Sequence, residues 1–232
     1  AIVPNETNSF RVADSTITGC SADYSGGAIA LTRGDSEAEG PEMIVTDSIF
    51  SSCSANANNG GCIFLIVGAT LFAQSVLFQD CHAVTNGGAI YGAQSNTINL
   101  ISCVLERCVA GSDGGCIFAF QNSNVTATGT SFLSSKGGGS GSFGGALAVR
   151  RSTMLTLSGS LIENCSIPGW GGGISGLNDS ILHLQSSTVR ACHADYGGGG
   201  IALGYGSVGW VSDSIVKNCR TSSEGGGMTV VA

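Results

Sequence analysis

The chain has 232 residues, of which 37 are glycine, 11% charged and 42% hydrophobic. That apolar content excludes a disordered chain, and three prolines without a Gly-x-y period exclude collagen. The net charge is −7 with only nine scattered Lys and Arg, which argues against nucleic acid as a partner. No apolar run approaches the roughly 20 residues of a membrane span, so no membrane span is expected in this segment. The chain opens on Ala1-Ile2-Val3-Pro4-Asn5, with neither an initiator Met nor a signal peptide, as a processed or excised chain would.

Read in chain order, one unit recurs about every 27 residues. Each unit starts with a large apolar residue: Ile17, Phe50, Phe78, Leu105, Phe132, Ile162, Val189 and Val216. Three positions later comes a cysteine: Cys20, Cys53, Cys81, Cys108, Cys165, Cys192 and Cys219, with Ser135 in that slot of coil five. A glycine pair follows, from Gly26-Gly27 through Gly87-Gly88 to Gly225-Gly226. Two residues beyond each pair stands Ile29, Ile63, Ile90, Ile117, Leu147, Ile174, Ile201 or Met228. A third apolar run closes the unit, as in Ile44-Val45, Thr97-Ile98-Asn99-Leu100 and Met154-Leu155-Thr156-Leu157.

Each run is short, alternating and rich in β-branched or aromatic residues, which is the signature of a strand. Three short strands per unit cannot bury their apolar sides alone. Stacking unit on unit does bury them, each strand pairing in parallel with its copies above and below. The expected fold is therefore all-β, a right-handed parallel β-helix solenoid of about eight coils with three strands per coil. A propeller blade needs more residues, and the Leu/Asn signature of a leucine-rich repeat is absent. The glycine pairs mark corners. Two insertions, 32–42 and 136–142, fall at corners, where a solenoid tolerates them. Residues 1–232 form one domain, expected to be a segment of a longer solenoid because neither end shows a polar cap.

Coil three reads F-x-x-C-x-A-x-x-x-G-G-A-I through Phe78, Cys81, Ala83, Gly87, Gly88, Ala89 and Ile90. This resembles the GGAI and FxxN repeats of polymorphic outer-membrane proteins, with Cys in place of Asn in seven coils. The resemblance covers nearly the whole chain. It implies a secreted or surface-displayed structural or adhesive β-helix, whose partners are other chains of an extracellular assembly, or glycans.

The cysteine ladder lies at one corner of successive coils. Equivalent residues in a parallel stack are about 4.8 Å apart, which is within disulfide range, yet side chains in register point the same way. A column of small buried thiols is therefore expected rather than bridges. Cys62 and Cys116 replace Ala at the glycine corner, and Cys103 replaces a Ser. Among the sequons, Asn5, Asn124 and Asn178 are the glycosylation candidates, with Asn164, beside a ladder cysteine, the poorest.

Pectate lyases and polygalacturonases use this fold, and their sites need several charged groups on adjacent coils of one face. No such cluster is visible: Asp14, Asp47 and Asp213 share a slot but spread along the stack, and Arg190 and Lys217 read as a solvated strand face. His82 and His193 lie four coils apart. The acidic insertion with Asp35, Glu37, Glu39 and Glu42 lacks a calcium-loop pattern. No catalytic residue, metal or cofactor is assigned. The expected function is a non-catalytic extracellular structural or adhesive solenoid, part of a cell-surface or filamentous assembly, against polysaccharide-active or carbohydrate-binding alternatives. Alternation turns Phe64, Tyr91 and Phe118 outward on three successive coils, making them the candidate partner contact.

Overall fold

A computed structural model describes residues 8–32 and 40–231. Among them are 31 strands and no helix, wound into a parallel β-solenoid of about seven turns. Coil four shows the plan: Thr97–Ile101, Val104–Glu106, Val109–Ala110 and Ile117–Phe120. Three of these positions stack into eight-stranded sheets, and every pairing is in register, as in Ile90 with Ile63 and Ile117.

The coil carries four strands rather than three. The additional one, two residues long, directly follows the ladder cysteine, and its copies form sheets of four and three strands. Two residues are too few for alternation to show in sequence. The single bridging residue Lys136 interrupts this column where coil five carries its insertion.

The core matches the expected register. Phe50, Phe78, Leu105, Phe132, Ile162 and Val189 are buried, with Ile17 and Val216 partly buried in the outermost described coils. Phe50 and Phe78 stack with centroids 5.2 Å apart. Burying each such side chain contributes about 1.5–3 kcal/mol. In the third run of coil one, Met43 and Val45 fill the core, and Ile44 turns outward.

Corners decide where the strands turn. The first glycine of a pair takes a left-handed φ, as in Gly87 at +65°. The second must lack a Cβ, because one built on Gly88 would run into the carbonyl oxygen of Gly115 in the next coil. Other corners put ordinary residues in the same region: Arg107 before Cys108, and the pair Gln121-Asn122. One corner is lined by an inward hydroxyl ladder of Ser48, Thr130, Ser160 and Ser187. Each rung receives a backbone N–H from the preceding coil, as Thr130 does from Cys103 and Ser160 from Thr130. That pairing satisfies polar groups which burial would otherwise penalise.

Candidate functional site

The outer face of the sheet holding Ile63–Ile66, Ile90–Ala93 and Ile117–Phe120 carries the aromatic stripe. Ile63, Ile90 and Ile117 point into the core, so Phe64, Tyr91 and Phe118 face outward. Register holds them in a column, with centroids 5.3 and 5.6 Å apart and planes within 9° and 15°. Cys62, Ala89 and Cys116 beside them lie in the core.

The stripe is partly covered by the chain itself. Phe118 is only 5% exposed. Its ring stacks on Phe120 at 5.9 Å, and the Arg150 guanidinium lies 6.0 Å from its centroid. The same guanidinium sits 4.5 Å over Phe143 and pairs with Asp113 at 3.1 Å. Asp113 ends a column of amides: the Asp113 N–H donates to Asn86 Oδ1, and the Asn86 N–H to Asn59 Oδ1, each at 3.1 Å. Its own Oδ1 accepts the Phe143 N–H at 2.7 Å. Burial pushes the Asp113 carboxyl above its usual value, with Arg150 pulling it back, and burial also lowers Arg150. Burial raises the Tyr91 phenol. Sequence reasoning missed Asp113, Phe143 and Arg150. The available signal was the residue before each glycine pair, which runs Asn59, Asn86, Asp113, Phe143, Trp170.

Stacked rings expose their edges to solvent and their faces to each other. The stripe is thus an apolar ridge. Further along the same face, the outward slot becomes small at Ala148, Ser175 and Ala202. There a cleft of about 70 Å³ opens between Phe143, Trp170, Leu177 and Tyr205, with no charged side chain in its lining.

The cysteine corner departs from expectation at one rung. Cys81 is bonded to Cys62, with Cα atoms 5.7 Å apart. Two ladder cysteines in register point the same way, but Cys62 enters from the glycine corner of the preceding coil, so its side chain meets the ladder instead of running beside it. Cys20, Cys53, Cys108, Cys165, Cys192 and Cys219 remain thiols, as do Cys103 and Cys116. Within the column, Cys192 contacts both Cys165 and Cys219, and its thiol is pushed up to about 12, first by Cys165.

Asn5 lies outside the described residues, as do Asp35, Glu37 and Glu39 of the insertion. Asn178 is exposed at a left-handed corner, whereas Asn124 lies in the strand Asn124–Thr128 with its Oδ1 buried and unpartnered. Asn164, expected to be the poorest sequon, is exposed with φ +56°, level with Asn178.

Ionisable side chains pair between coils. Arg107 binds Asp80 at 2.9 Å and its neighbour Glu106, and Arg190 binds Glu163 at 2.9 Å. His193 holds Asp195 at one ring nitrogen and the Arg220 carbonyl at the other. His183 stacks on Trp210 at 4.6 Å. Among the described residues, no group of three or more His, Cys, Asp or Glu could hold a metal ion. Nor, among the described residues, is any helix long and apolar enough to cross a membrane. Comparison of the chain with protein families, curated proteins and solved structures finds no match, so the polymorphic outer-membrane repeat stays a resemblance.

Proposed function

We propose that this chain is a non-catalytic structural or adhesive solenoid of an extracellular, cell-surface or filamentous assembly. One observation carries the reading: the arginine–carboxylate pairs run from coil to coil. Arg107, Arg150 and Arg190 hold Asp80, Asp113 and Glu163 on neighbouring coils. The outward aromatics stack on one another. Such contacts stiffen a rod, and among the described residues no group of three or more His, Cys, Asp or Glu converges on one point. The Cys62–Cys81 bond supports a secreted or surface location, since disulfides persist in oxidising compartments. The exposed sequons Asn164 and Asn178 suit such a location if the source glycosylates.

Two measurements test the proposal. Protease shaving and antibody labelling of intact source cells should find the chain outside. Incubation with acidic polysaccharides should release neither new reducing ends nor unsaturated products. A chain confined to the cytoplasm, or turnover of a polysaccharide, overturns the reading.

A further inference from the structure

One eight-stranded sheet runs from Ser9–Ala13 to Val208–Ser212. Leu71, Ile98, Val125, Leu155 and Leu182 fill the core, so the first, third and fifth residues of its strands face outward. From Thr70–Gln74 to Val208–Ser212 no strand of this sheet contains Asp, Glu, Lys or Arg. Outward hydroxyl and amide side chains alternate there with apolar ones, and Ile101, Met154, Val208 and Trp210 are exposed. The neighbouring sheet differs, because its outward column carries Glu106, Glu163, Arg190 and Lys217. Solvated surfaces keep charge, whereas the centres of protein interfaces are depleted of it.

Size and charge select the occupant. Eight strands about 4.8 Å apart, with five residues at about 3.3 Å each, make a face of roughly 600 Å². Two such faces in contact remove roughly 1,200 Å² from water, the lower bound of a specific, stable interface. Charge is confined to the first two strands, as Arg11 and Glu42. The last two carry His183 and Trp210, stacked at 4.6 Å. A twofold axis along the strand direction lays one copy on another with strands aligned and strand order reversed, a packing that sheets favour. Arg11 then reaches Trp210 of the second copy, a cation against an indole. Glu42 comes beside His183, and at the centre the Asn99 amide meets the Thr126 hydroxyl. An axis along the stack would instead set Arg11 against Arg11, a like-charge contact that specific interfaces avoid.

We propose that this face pairs with the same face of a second copy, making a twofold dimer of solenoids side by side. The proposal rests on the reading of the chain as part of an assembly, and it names the partner. The contact is self-complementary, so each pairing, Arg11 with Trp210 included, is made twice. The stripe of Phe64, Tyr91 and Phe118 lies on another sheet and takes no part.

Sedimentation equilibrium of the full chain over a concentration series should show a reversible dimer, twice the chain mass of 23.2 kDa. Asn99→Lys combined with Thr126→Lys brings two lysines from each copy together at the centre of the contact. That should raise the dissociation constant about a hundredfold. Asn99→Asp combined with Thr126→Asp should do the same, and a mixture of the two variants should dimerise again, which misfolded chains would not do. Hydroxyl-radical footprinting of the parent chain locates the contact without substitution: dimerisation should protect Phe72, Met154 and Trp210 and leave Tyr91 unchanged. A parent chain that stays monomeric, bare or with a glycan held on this face, overturns the proposal. So does a dimer that survives the lysines, or one that protects Tyr91 instead. The functional reading is judged separately. A dimer confined to the cytoplasm keeps this pairing and overturns that reading, and a monomer on the cell surface does the reverse.

Discussion

Phe64 and Tyr91 stack with ring centroids 5.3 Å apart and planes 9° from parallel. The in-register pairing of their strands imposes this, because equivalent residues repeat at the strand spacing of about 4.8 Å. Each ring buries a face against the next, so the stripe acts first as an internal spine. Tyr91→Ala removes the middle rung and both of its stacks, and should lower unfolding stability by about 2 kcal/mol. Urea denaturation of the variant beside the parent chain checks this. An unchanged midpoint would show that the stack contributes nothing to stability.

Phe78 fills the core between Phe50 and Leu105 and is fully buried. Phe78→Ala should cost about 3–5 kcal/mol, through lost transfer energy and an unfilled cavity. The same urea series measures it. A loss below about 1 kcal/mol would mean that the stack collapses to close the gap.

The second glycine of a pair should tolerate less than an exposed corner glycine. A Cβ at Gly88 meets the backbone of Gly115 and Val109, whereas one at Gly159, φ +56°, meets nothing within 4 Å. Gly88→Ala should cost about 3 kcal/mol or more by forcing the coils apart. Gly159→Ala should cost only the left-handed backbone penalty of about 1–2 kcal/mol. Thermal unfolding of both variants should give this order, and equal losses would contradict the close-approach explanation.

The Asp113–Arg150 pair gives a pH dependence with a definite sign. Burial raises the folded-state value of Asp113 above that of the unfolded chain. The folded chain therefore binds more protons between those two values. This group's contribution is full below the ordinary carboxylate range and is lost as pH rises through the raised folded value. Unfolding free energy followed from pH 3 upward should show that loss in the parent chain. Asp113→Asn should flatten it, while leaving Arg150 unpaired at every pH.

Ser135 stands where a ladder cysteine would meet Cys116. Ser135→Cys combined with Cys108→Ser should recreate the slot relation of Cys62 and Cys81, and should bond to Cys116 during oxidative refolding. A bridge closing a loop of this length stabilises by about 3 kcal/mol. Peptide mapping without reductant shows whether the bond forms, and unfolding with and without reductant measures its effect. A chain in which both thiols stay reactive would refute the slot equivalence.

Much of the fold is legible in the sequence, because a solenoid repeats its local rules in every coil. Phe50, Phe78, Leu105 and Phe132 share one slot, and a shared slot in a parallel stack means vertical contact. The same rule turns Phe64, Tyr91 and Phe118 outward. What repetition cannot encode is how two different slots meet across the coil. Cys62 reaches Cys81 because two corners face each other through the core. The sequence, read as a ladder of like residues, paired neither of them. Arg150 reaches Asp113 from the adjacent coil, over Phe143, a contact between three slots that no period relates. The two-residue strand Val109–Ala110 is too short to alternate, and only pairing with its copies reveals it. Periodicity along the chain thus determined which residues stack. The closed cross-section of the coil, set by left-handed corners such as Arg107 and Gln121-Asn122, decided which unlike residues touch.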